Sequence, residues 1–341
     1  MTTTITHTVK PGGGGDYTSL AAWQAAQNRD LVTADECEVV ECYPGTDTTA
    51  LIITGWTTDS SHTITIKAAD TARHKGVFSP TDCYALDLSA STSALCFTLS
   101  NITTIYITID GLQFACAKNA GCCYWAGVAG RQIIKNCIIK GNLAWTSSSK
   151  TALSLQNMPS DTVIFIINNI IYNCAVTNGG AIGVWNYTNG VFILYNNTIA
   201  DCINFICSNV SSAKVLLKNN IASLTGSFVN GTVVSTGSTN NVSNLSSIPG
   251  SNTKTGSVSF VDADNDNYLI SASDTVAKGY GMNLSADYIF PLTTDCLGQR
   301  RAGTWSCGAH DPSGTSADET SVWVWDGSTW HPASEIAVVT V

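Results

Sequence analysis

Residues 164–170 read Ile-Phe-Ile-Ile-Asn-Asn-Ile, 192–198 read Phe-Ile-Leu-Tyr-Asn-Asn-Thr and 215–221 read Val-Leu-Leu-Lys-Asn-Asn-Ile. Two looser copies precede them, Tyr-Ile-Thr-Ile-Asp-Gly-Leu at 106–112 and Gln-Ile-Ile-Lys-Asn-Cys-Ile at 132–138. Anchored on Asp110, Asn136, Asn168, Asn196 and Asn219, the steps are 136−110 = 26, 168−136 = 32, 196−168 = 28 and 219−196 = 23. Repeats of this length, built of short apolar runs and polar corners, mark a solenoid. The runs are rich in Ile, Val, Phe and Tyr, which favours strands over helices. Asn at the corners tolerates left-handed backbone and can bond from one turn to the next. Strands stacked in this way give an all-β parallel β-helix, each coil burying its apolar face against its neighbours.

The same register places other residues. Six positions after the anchor stand Cys116, Asn142, Cys174, Cys202 and Thr225, which reads as a column of small buried residues, since a free Cys packs as a small hydrophobe. A metal site is not expected there, for want of Cys-x-x-Cys pairs and a partner His. Three positions before the anchor lie Ile107, Ile133, Phe165, Ile193 and Leu216, and two before it Thr108, Ile134, Ile166, Leu194 and Leu217. Neighbours on a strand point to opposite faces, so one of these apolar rows faces outward and needs a cover. Another copy of the chain or a partner is the expected cover, a loop of the same chain the alternative.

At 341 residues the chain suffices for one long solenoid. Only 12% of residues are charged and 44% are hydrophobic, so the surface is one of hydroxyls and amides and the chain is not disordered. A formal charge of −9 and no cluster of Lys and Arg argue against nucleic-acid binding. Thirteen cysteines are many, yet several fall inside the coils, where the reduced form is the simpler reading, with Cys296–Cys307 left open as a pair. The opening Met-Thr-Thr-Thr-Ile-Thr-His-Thr has no basic segment followed by an apolar run. Neither an export leader nor a membrane span is expected.

In chain order, residues 1–36 form an N-terminal strand and a capping helix, with Thr18 or Ser19 as N-cap and Leu20 and Trp23 closing the open end of the solenoid. Residues 37–312 hold the coils, which become irregular from Leu224 to Asn252, and a closing segment. Arg73, His74 and Lys75 read as a solvated basic loop, and the run Asp262, Asp264, Asp266 as a solvated turn without the Gly and Glu of a calcium loop. Residues 313–319 are a polar linker. The tail, 320–341, alternates around Asp-Gly as a hairpin, and Trp323, Trp325 and Trp330 are assigned to docking or oligomerisation.

Loops and coils between the corners also carry aromatics: Tyr124, Trp125, Trp145, Trp185 and Tyr187. They are read as a glycan-binding strip, because sugar C–H groups pack on π faces; filling of loop cores is the competing reading. Glycan-cleaving chemistry calls for paired carboxylates or a carboxylate cluster with an Arg base. No such constellation stands in register, and Asp161, Asp201 and Arg131 are the nearest candidates, none of them assigned.

The coil pattern apolar-x-apolar-x-Asn-Asn-x-Ile, the opening Gly15-Asp16-Tyr17 and the closing Asp295, Gly298, Arg301 and Gly308-Ala309 together resemble the right-handed parallel β-helix proteins of the pectate-lyase-like superfold, over roughly residues 10–312. Where that family has Asp-Ile before and Tyr-Glu after its closing Gly-Ala, this chain has Ser306-Cys307 and His310-Asp311. The tail resembles modules of phage fibres and capsid appendages. The resemblance implies a non-enzymatic bacteriophage virion protein (fibre, spike or capsid decoration), a homotrimer with other virion proteins as partners and host surface polysaccharide as ligand. No cofactor, metal, nucleic acid or membrane partner is expected. A polysaccharide depolymerase on the same scaffold is the alternative, and a bacterial surface adhesin a third reading.

Overall fold

The computed structural model describes residues 2–92, 94–99, 102–118, 120–142, 150–174, 179–186, 190–315, 323–325 and 330–332. Its coils have three legs. The first leg builds an eight-stranded parallel sheet, Thr3–Val9, Glu36–Cys42, Ile64–Ala68, Thr104–Asp110, Ala129–Lys135, Thr162–Ile167, Val191–Tyr195 and Lys214–Lys218. The other two legs share a fourteen-stranded sheet. The second leg comprises Gly45–Asp47, Tyr84–Asp87, Gln113–Ala115, Ile138–Lys140 and Ile170–Tyr172; the third comprises Leu51–Ile53, Phe97–Leu99, Cys123–Ala126, Thr151–Gln156 and Gly180–Trp185. In the later coils both legs run through single long strands, Thr198–Ser208 and Ile221–Gly231. Every pairing in the two sheets joins one coil to the next in parallel. The chain is an all-β parallel β-helix solenoid.

From Ala129–Lys135 onward each first leg ends at a corner residue with positive φ: Asn136 (53°), Asn168 (54°), Asn196 (54°) and Asn219 (56°). The anchors therefore line up along one axis, with one correction. Asp110 pairs with Lys135, so the corner of that coil is Gly111 (φ 77°) and the register there shifts by one. Glycine and asparagine are the residues that reach left-handed backbone at least cost. Asn240 (53°) and Asn252 (47°) continue the series with steps of 240−219 = 21 and 252−240 = 12, so the stretch expected to be irregular still turns, in ever shorter laps.

Behind the corner runs an inner ladder of fully buried amides, Asn169, Asn197, Asn220 and Asn241. Asn169 Nδ2 donates to Asn197 Oδ1 at 3.1 Å, Asn197 to Asn220 at 3.0 Å and Asn220 to Asn241 at 2.9 Å. Each Nδ2 also reaches a carbonyl of an earlier coil. Buried amides cost free energy unless bonded, and here each is bonded on both atoms, so the ladder fixes coil register as well as closing the corner.

The helical cap is present as α1, Leu20–Gln27, and Ser19 is its N-cap, accepting from the Ala22 N–H at 3.0 Å. Trp23 is fully buried and stacks on Trp56 with centroids 5.5 Å apart. A second short helix, α2 (Leu31–Ala34), follows with Asp30 as its cap. The buried Glu38 carboxylate accepts from Trp23 Nε1 at 2.9 Å and pairs with Arg29 at 2.9 Å and His7 at 2.7 Å. One charge so partnered joins strand, helix and coil.

Ile66, Ile109, Ile134, Ile166, Leu194 and Leu217 fill the bore, whereas Ile133, Phe165, Ile193 and Leu216 face outward. Their cover is not a partner but the chain itself. Residues 282–305 lie across the first sheet and place Leu284, Phe290, Leu292 and Trp305 on that row, with the Phe165 and Phe290 rings 5.1 Å apart. The same C-terminal strap covers the second leg: the hairpin Phe260–Asp262/Asn267–Ile270 and residues 296–309 bury Ile138, Ile170, Tyr172, Ala200 and Ile221.

Two other expectations change. His74 is buried and donates from Nε2 to the Asn136 carbonyl at 2.6 Å, while Arg73 pairs with Asp110 at 2.7 Å; of the basic loop only Lys75 is exposed, and it pairs with Asp82 at 2.7 Å. Cys116 is bonded to Cys122, so the column of thiols is interrupted at its first member, with Cys174 and Cys202 free and buried above it. Cys296 and Cys307 are both free. Asp266 pairs with Lys140 at 2.8 Å, and Asp262 accepts from the Asn265 amide.

Candidate functional site

With the outer faces of the first and second legs covered by the strap over the later coils, the third leg is left. No apolar cluster joins strap residues to its outer surface among the described residues. Alternation decides what each residue does there. In Cys123–Ala126 the burial pattern places Cys123 and Trp125 inward and Tyr124 and Ala126 outward. Trp125 is fully buried in the bore, edge-on to Phe97 at 6.0 Å, and presents no ring face to solvent; this corrects its place in the expected strip. Tyr124 and Trp185 are half-buried on the outer face. Trp145 and Tyr187 lie outside the described residues.

Register brings Tyr124 and Trp185 together across one intervening strand. Tyr124 pairs with Ser154, which pairs with Gly183; Gln156 pairs with Trp185. The Trp185 indole folds back over Gly183, where an added Cβ would collide with its Nε1 edge and with the Thr151 hydroxyl. A side chain at this position would displace the ring, which occupies its place. Between the two rings, the Gln156 amide donates to Ser154 Oγ at 3.1 Å and lies 3.5 Å from the Tyr124 hydroxyl. Thr151 is 2% exposed and its hydroxyl has no protein partner.

The arrangement offers two aromatic surfaces with a hydroxyl and an amide between them. It suits adhesion of a flat polar ligand with C–H faces. Cys207 stands in register with Gly183; burial pushes it up to about 12, so it is not a thiolate at neutral pH. No group of three or more His, Cys, Asp or Glu able to hold a metal occurs among the described residues.

Asp161, Asp201 and Arg131 are not brought together. Arg131 is exposed on the first sheet opposite Tyr106 and Val163, and Asp161 precedes the strand Thr162–Ile167. Asp201 follows the second leg with φ 48° and accepts from the Tyr268 hydroxyl of the strap. Trp323 and Trp325 pair with Pro332 and Trp330 as an antiparallel hairpin. Thr151, Ser154 and Gln156 were not singled out from the sequence. Their signal was available: they flank the alternating Leu153 and Leu155, which follow the same inward register as Cys123 and Trp125.

No family model and no curated protein matches the chain. Among solved structures, the pectin methylesterase from Aspergillus niger in deglycosylated form aligns at 15% identity and a TM-score of 0.35, covering 84% of this chain and 97% of that one. The fold assignment rests on the strand pairing above and not on this likeness. No helix among the described residues is long and apolar enough to cross a membrane.

Proposed function

We propose that the chain is a non-enzymatic surface protein of a bacteriophage particle, a fibre, spike or capsid decoration, that holds host surface glycan on the outer face of its third leg. The observation that carries the glycan reading is the Trp185 indole laid over Gly183, two strands from Tyr124, on the face the strap leaves open. A rigid solenoid with an aromatic, hydroxyl-lined flank suits attachment: the scaffold is paid for by its own ladder and rings lose little entropy on contact. The particle assignment is supported by the coil, closing-segment and tail resemblances. Homotrimer formation and docking through the hairpin of Trp323, Trp325 and Trp330 belong to the same proposal.

The test incubates purified protein with host surface polysaccharide. Binding that weakens in Trp185→Ala, without new reducing ends, supports the reading. Release of reducing ends means a depolymerase instead. Absence of the protein from purified particles removes the virion assignment, and light scattering on the free protein reports the oligomer.

A further inference from the structure

We infer that the glycan held on the third leg is a neutral, extended chain lying along the solenoid axis; this rests on the glycan reading above and names the ligand class. The charge distribution carries the first half. Leu51–Ile53, Phe97–Leu99, Cys123–Ala126, Thr151–Gln156 and Gly180–Trp185 contain no Asp, Glu, Lys or Arg. The sequences beside these strands, 141–149, 157–160, 173–179 and 186–190, contain none either. Lys150 directly precedes Thr151, and the next charges in the chain, Asp47, Lys118, Arg131 and Asp161, stand four or five positions outside the strand bounds. A uronate or sialate bound here would give up water without gaining a cation, which is unfavourable. The chain's formal charge of −9 repels a polyanion further.

The strand register carries the second half. Cys123–Ala126, Thr151–Gln156 and Gly180–Trp185 are consecutive rungs, and the Trp185 ring lies over Gly183, in the row of Tyr124 and Ser154. Two rungs separate the ring positions along the axis by about 10 Å, at roughly 4.8 Å per rung. That is one disaccharide step of an extended chain, so alternate sugars meet the two rings. The sugar between them meets Ser154 and Gln156, which offer hydroxyl and amide bonds but no charge. A chain lying across the strands' rungs in this direction uses every one of these groups; a chain running along a single strand meets only one ring.

The experiment titrates the full-length protein with hexasaccharide panels, neutral (glucan, mannan, galactan and chitin fragments) and acidic (galacturonan, alginate and polysialate fragments). Expected is binding of at least one neutral hexamer, at least tenfold tighter than any acidic one, with less than about a twofold change in Kd between ~0.05 and ~0.5 M salt. The corresponding disaccharides should bind at least about tenfold more weakly than the hexamer, since they span a single ring. Gln156→Lys, a surface change with folding checked by its melting curve, should raise acidic-hexamer affinity. An acidic hexamer that binds more tightly than every neutral one, or a strongly salt-dependent Kd, overturns the inference while leaving glycan binding intact. A disaccharide as good as the hexamer overturns the axial placement. If neither panel binds, the glycan reading itself falls.

Discussion

Arg301 of the strap donates from Nη2 to the amide oxygen of Asn168, 133 positions earlier in the chain, at 3.2 Å. The same guanidinium reaches the carbonyls of Ser306, Gly308 and Ala309 and lies 3.8 Å from Asp311, all of it fully buried. Coil corner and strap are thus joined by one side chain. Arg301→Met keeps the volume of the stem but strips the carbonyls and Asp311 of their partner. It should destabilise by about 3–5 kcal/mol, as for breaking a buried pair. Chemical denaturation checks this, and dye binding should rise as the Ile133–Phe165–Ile193 row is uncovered. A variant as stable as the parent would mean that the apolar contacts alone hold the strap.

Asn219 and Asn196 occupy the same corner position and are both fully buried, but only Asn219 bonds the strap, giving to the Met282 carbonyl at 2.8 Å and accepting from its N–H at 2.9 Å. Neither amide atom of Asn196 has a protein partner. Glycine at either site keeps the left-handed backbone. Asn219→Gly should therefore cost about 2 kcal/mol more than Asn196→Gly, two hydrogen bonds against none. Paired unfolding curves decide it; equal losses would contradict the assignment.

Burial depresses His74 to about 4 from 6.5. The unfolded chain takes a proton there near pH 6.5 and the folded chain only near 4, so stability falls as the pH drops through that window. The loss from this group is about 3 kcal/mol. His310 is lowered as well, also by burial, and adds in the same direction. His74→Gln should flatten the stability-against-pH curve between 6.5 and 4. An unchanged slope would place the His74 ring in water.

Of thirteen cysteines, eleven are free and two are joined as Cys116–Cys122. Thiol titration of the denatured, unreduced protein should count eleven. Counting thirteen would show that the bond is not made in solution.

The corners were legible because only asparagine and glycine serve there, and the strands because the apolar runs alternate against them. The one-residue slip at Asp110 arose because Gly111 fills the corner in that coil, and a glycine carries no pattern of its own. The outward row of Ile133, Phe165, Ile193 and Leu216 was readable as a face in need of cover. Its occupant was not, since pairing Leu284, Phe290 and Leu292 with residues as much as a hundred and fifty positions away leaves no local periodicity. Of the aromatics read as a glycan strip, Tyr124 and Trp185 project outward, but Trp125 follows strand alternation into the bore. The Ser154 hydroxyl and Gln156 amide between the two rings emerge only once three strands are set in register.

Hydroxyl-radical footprinting of the protein with and without a bound glycan tests the central claim most directly. The account predicts protection at Tyr124 and Trp185, with the strap residues Tyr280 and Tyr288 unchanged. Protection of the strap aromatics with Tyr124 and Trp185 unaffected would contradict it.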